Sequence, residues 1–237
     1  MSSNFRFKQF NVEHDRCAMK IGTDGVLLGA WTSLENSPNS VLDIGAGTGI
    51  LSLMLAQRST AESLDAFEID ENAYEQCVDN FEQSPWGDRL FCYHASLEEF
   101  TNEIDEKYNL IVCNPPFYAE TFKTKNSQRD FARFQDAMPF EQLLKSVSVL
   151  LAENGEFSVI IPFAEEERFI QIAKIFGLFV NRICRVRGTI SSEIKRSLIC
   201  FSFRKVQIEC KELSIEISRH RYTEDYIDLT QDFYINM

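Results

Sequence analysis

Val41-Leu42-Asp43-Ile44-Gly45-Ala46-Gly47-Thr48-Gly49 is the stretch on which the fold turns. Val41 to Ile44 is a short apolar run of strand character, and Ile50 to Gln57 beyond it has the apolar spacing of a helix. A plain strand-to-helix turn rarely needs three glycines in five residues. Glycine permits a tight turn there and lets backbone approach a ligand closely. A dinucleotide fingerprint, Gly-x-Gly-x-x-Gly, would put its third glycine at Ile50. In this chain it comes one residue early, at Gly49.

Outward from that turn the chain alternates. Leu64 to Ile69, Leu90 to His94 and Leu110 to Cys113 read as further strands, the last apolar throughout as a doubly buried strand would be. Asn72 to Phe81 reads as a helix, as does Phe140 to Leu151, which meets a stop signal at Asn154-Gly155. Phe157 to Ile161 is a fifth strand ended by Pro162, and Phe163 to Phe176 a helix ended at Gly177. This alternation implies parallel pairing through crossover helices, hence an α/β doubly wound sheet. Val180 to Val186 and Leu198 to Phe203 have no crossover helix between them and are expected to close one edge as an antiparallel pair. The expectation is a seven-stranded, mostly parallel sheet in a single domain over residues 40–237, with residues 1–39 as an extension packing on the ligand cleft.

The 237 residues suffice for a full core, and 44% hydrophobic with 25% charged residues is ordinary for a soluble domain. No run approaches the ~18 apolar residues of a bilayer span. The opening Met1-Ser2-Ser3-Asn4-Phe5-Arg6-Phe7 lacks a signal-peptide layout, so a cytoplasmic protein is expected. The seven cysteines are scattered singly, and with the three histidines complete no zinc spacing, so reduced thiols and no metal are expected. A net charge of −12 argues against nucleic acid on average, although a local basic patch can exist on an acidic protein.

Three further features carry chemistry. Glu68 stands at the end of the second strand, where a carboxylate can accept the hydroxyls of a ribose, with Ile69 beside it. Ala95 and Ser96 end the third strand, where by position an adenine ring would lie. Asn114-Pro115-Pro116-Phe117 follows the fourth strand directly. Two prolines alone are frequently just a strand terminator. The full motif suits a nitrogen whose lone pair is lent to a planar system and which is therefore a poor nucleophile. The Asn114 side-chain oxygen and the Pro115 carbonyl can each accept one of its hydrogens, drawing it towards tetrahedral geometry. Proline holds the carbonyls rigidly, and Phe117 offers a stacking face for an extruded base.

The glycine spacing resembles methyltransferase motif I, and the Asn-Pro-Pro-Phe pattern resembles that of enzymes methylating conjugated nitrogens. S-adenosyl-L-methionine is then the implied cofactor, leaving as S-adenosylhomocysteine. Asp43, Gly45, Ala46, Gly47, Gly49, Glu68, Ile69, Ala95, Ser96 and Asn114 would border it, and Asn114 to Phe117 would be catalytic. Over nearly its whole length the chain resembles the bacterial tRNA adenine-N6 methyltransferases that act on adenine-37, beside the anticodon of a valine tRNA. That resemblance rests on Phe5-x-Phe7-Lys8-Gln9-Phe10, on the stretch from Asp15 to Trp31, on both motifs, and on the tail from Tyr222 to Tyr234. It implies that Lys20, Thr23 and Asp24 border the cofactor pocket; read as a helix start, the same stretch makes Thr23 or Asp24 an N-cap.

Charge distribution bears on the RNA partner. Arg182 to Lys205 holds seven basic residues against Glu193 alone, and Lys123, Lys125, Arg129 and Arg133 follow the Asn-Pro-Pro-Phe loop among aromatics. Arg129, Arg133, Lys195 and Arg196 are the expected RNA contacts, with a solvated face as the simpler alternative for either run. Three rivals stay open: an rRNA guanine-N2 methyltransferase, a glutamine-N5 methyltransferase of release factors (which favours tyrosine where Phe117 stands), and a non-catalytic cofactor- or RNA-binding module. A monomer is expected.

Overall fold

The computed structural model describes residues 4–116 and 138–236. Among these residues nine strands form one sheet. In chain order they are β3 (Ser40–Ile44), β4 (Ser63–Glu68), β5 (Leu90–His94), β6 (Tyr108–Cys113), β7 (Leu151–Pro162), β8 (Phe179–Thr189), β9 (Ile194–Ser202), β10 (Glu209–Ser218) and β11 (Arg221–Tyr222). Across the sheet they run β11-β10-β8-β9-β7-β6-β3-β4-β5. A small hairpin of β1 (Asn4–Arg6) and β2 (Asn11–Glu13) precedes them.

Among the described residues the helices are α1 (Thr23–Trp31), α2 (Ile50–Arg58), α3 (Glu71–Glu82), α4 (Leu97–Glu103), α5 (Phe140–Leu150), α6 (Glu166–Ile175) and α7 (Glu224–Thr230). They cover both faces of the sheet, because the central strands are apolar on both. Val41, Leu64, Leu110 and Val112 point into the core shared with α1 and α2. Leu42, Ile44, Ile111 and Cys113 point into the opposite core, shared with α5 and α6. Period-two alternation through an all-apolar strand builds two cores at once.

The seven expected strands are all present, and the fold class is as the alternation implied. Three details differ. The antiparallel strand β9 is inserted between β7 and β8, and the sheet continues past β8 through parallel β10 to an antiparallel edge, β11. Asn154-Gly155 does not end the element. It lies inside β7 at a register shift, where Tyr108 pairs with Leu151 but Leu110 with Glu156. A Cβ on Gly155 would stand 2.9 Å from the Tyr108 carbonyl oxygen, so the irregularity admits only glycine there. Finally, Phe163–Glu165 is a 3-10 turn that precedes α6.

The chain ends meet. Phe7 bridges Tyr234, Lys8 N–H donates to the Phe233 carbonyl at 2.8 Å, and Phe7 stacks on Phe10 with centroids 4.7 Å apart. No described helix is long and apolar enough to cross a membrane. Five of the seven cysteines are buried, Cys92 is half-buried and Cys210 exposed, and none is in a disulfide.

Candidate active site

The loop between β3 and α2 is shaped by backbone that only glycine adopts comfortably: φ is +70° at Gly45, +55° at Gly47 and +76° at Gly49. Gly45 and Ala46 N–H groups both donate to the Phe67 carbonyl at 3.1 Å, latching the loop to the end of β4. The glycines do different things. A Cβ on Gly49 would lie 2.4 Å from Phe81 Cε1 and 2.8 Å from Cys77 Sγ, so Gly49 lets α2 and α3 close together. Over Gly45 and Gly47 a Cβ would meet nothing within 4 Å. That open cradle over bare backbone is what a ligand can fill.

Two carboxylates flank the loop. Glu68 accepts from Gly47 N–H at 2.8 Å through Oε2, and from Ile69 and Asp70 N–H at 2.8 and 3.0 Å through Oε1. Of the roughly four lone-pair sites of a carboxylate, one braces the glycine loop and two the turn after β4, leaving one for a hydroxyl. Asp43 is buried at the end of β3; its Oδ2 accepts from Ser52 N–H at 3.2 Å and from Ser52 Oγ at 2.9 Å. Burial pushes its carboxyl up to about 7, against the lowering effect of the Ser52 bonds. Asp43 Oδ1 is buried with no hydrogen-bond partner, a second sign of a site built for a polar ligand.

Ile69, 68% exposed, stands at the rim beside Glu68, and its carbonyl bonds His94 Nε2 at 3.0 Å. Ala95 N–H donates to the Glu68 carbonyl at 3.1 Å, which brings the end of β5 to the same rim. Ser96 is the N-cap of α4 in a reciprocal capping box with Glu99, so its hydroxyl is engaged. The spacing Ser96-x-x-Glu99 could have revealed that cap in the sequence.

Asn114 and the half-buried Pro116 flank the buried Pro115 directly after β6, whose Cys113 pairs in register with Ile44. The motif therefore leaves the sheet beside the glycine loop. Helix α1 closes over it: a Cβ on Gly25 would stand 4.0 Å from Asn114 Nδ2 and 3.3 Å from Ile50 Cγ2. Thr23 and Asp24 sit in the first turn of α1, but the N-cap is Gly22 and no side chain caps the helix, contrary to the capping expectation. Asp24 instead accepts from Arg196 Nε at 2.8 Å. Lys20 is exposed in the segment leading to α1. Phe117, Arg129 and Arg133 lie outside the described residues.

The basic run from Arg182 to Lys205 is largely consumed by contacts distant in sequence. Arg185 makes a fork to buried Glu166, with Nη2 2.7 Å from Oε1; Arg187 pairs with Glu212, and Arg204 bonds Asn154. Arg182 lies over the Trp31 ring at 4.1 Å and Lys205 over Phe179 at 4.6 Å. Lys195 and Arg196 lie within β9, not in a loop before it, although Arg196 does pair with Pro162 at the carboxyl end of β7. Lys195 keeps a side chain 66% exposed, 3.7 Å from Glu193.

One positioning residue escaped the sequence reading. Buried Asn80 on α3 donates at 2.9 Å to the Thr48 carbonyl of the glycine loop and to the Glu13 carbonyl of β2, and accepts from Glu13 N–H at 2.9 Å. It ties the N-terminal hairpin to the site. Nothing in a helix written Glu71-Asn72-Ala73-Tyr74 onward marks Asn80 as the inward-facing one except its spacing of four from Gln76.

Residues 22–177 match the family model described as methyltransferase small domain. A Flavobacterium johnsoniae protein named tRNA1(Val) (adenine(37)-N6)-methyltransferase is 62% identical over 98% of this chain and 100% of its own length. The chain belongs to that family. A Bacteroides fragilis member is 47% identical over 98% of both chains. In fold the family member resembles a "predicted O-methyltransferase" from Agrobacterium tumefaciens, with TM-score 0.66, 17% identity and 89% and 96% of the two chains covered. It also resembles M. jannaschii TYW2 in complex with AdoMet, with TM-score 0.56, 13% identity, and 85% and 87% covered.

Proposed function

We propose that the protein transfers a methyl group from S-adenosyl-L-methionine to the exocyclic N6 amino group of adenine-37 in a valine tRNA, acting as a cytoplasmic monomer. The observation that carries the chemistry is the exit of Asn114-Pro115-Pro116 from β6 beside the open glycine cradle after β3. Membership of the family named for this reaction supports the substrate.

The residues present fit the cofactor. Backbone at Gly45 and Gly47 leaves room for it, the remaining acceptor site of Glu68 suits a ribose hydroxyl, and Asp43 Oδ1 awaits a donor. Ile69 offers an apolar face to a purine, with Ala95 at the same rim and Ser96 helping through backbone, since its hydroxyl is engaged. Lys20, Thr23 and Asp24 border the opposite wall with α1. When bound, S-adenosylmethionine supplies an electrophilic methyl group. Asn114 Oδ1 and the Pro115 carbonyl accept the two hydrogens of the adenine amino group, which concentrates its lone pair for attack and disperses the charge that develops. Phe117 stacks on the extruded base. Lys195, with Arg129 and Arg133, supplies phosphate contacts.

The test is tritiated methyl transfer to total tRNA and rRNA from a deletion strain, followed by nucleoside identification. N6-methyladenosine in tRNA is the expected product. N2-methylguanosine in rRNA, or label in protein glutamine, would replace this reading with one of its rivals.

A further inference from the structure

The tail from Tyr222 to Tyr234 and the N-terminal Phe5 have no part in the chemistry above, yet they line one cleft of about 700 Å³. Phe5 and Tyr234 meet edge to face with centroids 6.2 Å apart, Tyr222 and Tyr226 lie 5.3 Å apart, and Tyr226 is buried as the floor. Phe5, Tyr222 and Tyr234 are half-buried, so each keeps part of a ring accessible. Such a concentration of aromatic surface left open to water in a folded domain costs free energy unless something covers it.

Topology places the cleft beside the candidate active site. Gly188 and Thr189, at the carboxyl end of β8, line it, and β8 runs in the same direction as β7 because both are antiparallel to β9. It therefore opens on the same edge of the sheet as the glycine loop and Asn114. Thr23, on the first turn of α1, also lines the cleft, while Gly25 two residues on faces Asn114. The two positions are two residues apart on the same helix, just over half a turn.

Charge distinguishes this cleft from the basic run. Arg6 lines it, and Arg219 and Arg221 are exposed on the hairpin turn that continues from its lining residues Glu216 and Tyr222. Among the described residues none of these three arginines makes an ion pair, whereas Arg185, Arg187 and Arg196 all do. Half-buried Glu216 presents a carboxylate at the wall, with Oε1 accepting from His220 N–H at 3.1 Å. Ring faces, a wall carboxylate that can accept from a base amino group, and unpaired guanidinium groups at the rim match a single-stranded nucleotide with its phosphate.

We infer that this cleft is a second base pocket, taking an unstacked nucleobase that flanks the methylated adenine in the same RNA loop. The inference rests on the tRNA reading above. Phe5 and Tyr222 stack on the base, and Arg6, Arg219 and Arg221 meet its backbone. The pocket holds the loop open so that the target adenine reaches Asn114.

The test uses the full chain with a valine-tRNA anticodon stem-loop carrying 5-iodouridine at one flanking position at a time, irradiated and mapped by mass spectrometry. Adducts on Tyr222, Phe5 or Tyr234 from at least one flanking position are expected. Adducts confined to other residues would overturn the pocket. In parallel, Tyr222→Ala should raise KM for tRNA roughly tenfold, with kcat at saturating tRNA and cofactor affinity unchanged, and Tyr222→Phe should restore KM. Wild-type KM in a folded Tyr222→Ala protein would equally overturn it; if that variant fails to fold, Phe5→Ala serves with the same two outcomes. A wild-type protein that neither binds nor methylates the stem-loop would instead remove the tRNA reading, and this pocket with it.

Discussion

Alanine at Gly49 and alanine at Gly47 are chemically the same change two residues apart in one loop, and the structure requires opposite consequences. Both residues have positive φ, so each substitution costs about 1–2 kcal/mol of backbone strain. At Gly49 the new Cβ would also stand 2.4 Å from Phe81 Cε1 and 2.8 Å from Cys77 Sγ. Phe81 is 2% exposed and Cys77 fully buried, so neither can swing away, and forced overpacking of this kind costs ~1–3 kcal/mol. The sum, about 2–5 kcal/mol, is a large part of ordinary domain stability. At about 2–4 °C per kcal/mol, Gly49→Ala should melt roughly 5–15 °C lower. Gly47→Ala meets no protein atom and should lose only the strain. Its Cβ instead enters the cradle, and S-adenosylmethionine affinity should fall about tenfold or more, against little change for whatever Gly49→Ala protein remains folded. Thermal melting and isothermal calorimetry on both variants decide it. Full cofactor affinity in Gly47→Ala would show that the cradle is not the cofactor site. Wild-type melting in Gly49→Ala would show that the α2–α3 contact does not constrain the loop.

Asn114→Ala should lower single-turnover methyl transfer by roughly 10²–10³ with cofactor affinity nearly unchanged; wild-type turnover would make the motif structural. Glu68→Ala should weaken S-adenosylmethionine binding by ~1.5–3 kcal/mol and also lower the melting temperature, since three backbone N–H groups lose their acceptor; calorimetry with unchanged affinity would misplace the ribose. Asp43 has its folded pKa raised from 3.8 to about 7, so the stability it contributes is fully present below 3.8 and is lost as pH rises through about 7. Asp43→Asn should remove that decline, a slope of at most ~1.4 kcal/mol per pH unit, and parallel urea midpoints for wild type and variant between about pH 5 and pH 8 would refute it.

The central sheet was readable because its strands are local signals: short, largely apolar runs, several of them stopped at once by a breaker or a charge, as at Gly45, Asp70 and Pro162. Strands β10 and β11 were not, and the burial of β10 explains why. Of Glu209–Ser218 only Leu213 is buried, since the strand lies near the sheet edge and is held mainly by its ladder to β8. A strand that buries one side chain writes almost no pattern. Asn154-Gly155 misled in the opposite direction, because a dipeptide that normally turns the chain was accommodated as an irregularity within β7. At the site, the glycines, Glu68 and the Asn114 motif are contiguous and legible. Asn80 and the unsatisfied oxygen of Asp43 are properties of packing between elements: Asn80 bonds Thr48 across 32 residues, and the burial of Asp43 comes from elements distant in sequence.

Charge counted along the chain was a partial guide for a related reason, and its gaps point to a further place where RNA can be held. Counting along the chain treated Arg182 to Lys205 as nearly unopposed, but a strand is opposed by its neighbours across the sheet and by the helices packed on it. Glu212 comes from β10, Glu166 from α6 and Asp24 from α1, and each cancels an arginine that looked free in one dimension. Arg6, Arg219 and Arg221 looked negligible for the converse reason: they stand near opposite ends of the sequence. The ends are brought together by the Phe7–Tyr234 bridge and the Lys8 bonds to the Phe233 and Gln231 carbonyls. On a chain carrying −12 overall, phosphate is drawn only where guanidinium groups remain uncancelled. That condition is met beside Tyr222 and Phe5, at a cleft whose Thr23 stands two residues along α1 from the Gly25 that faces Asn114, so under the inferred second base pocket an acidic protein holds RNA there without any basic stretch in its sequence to announce it.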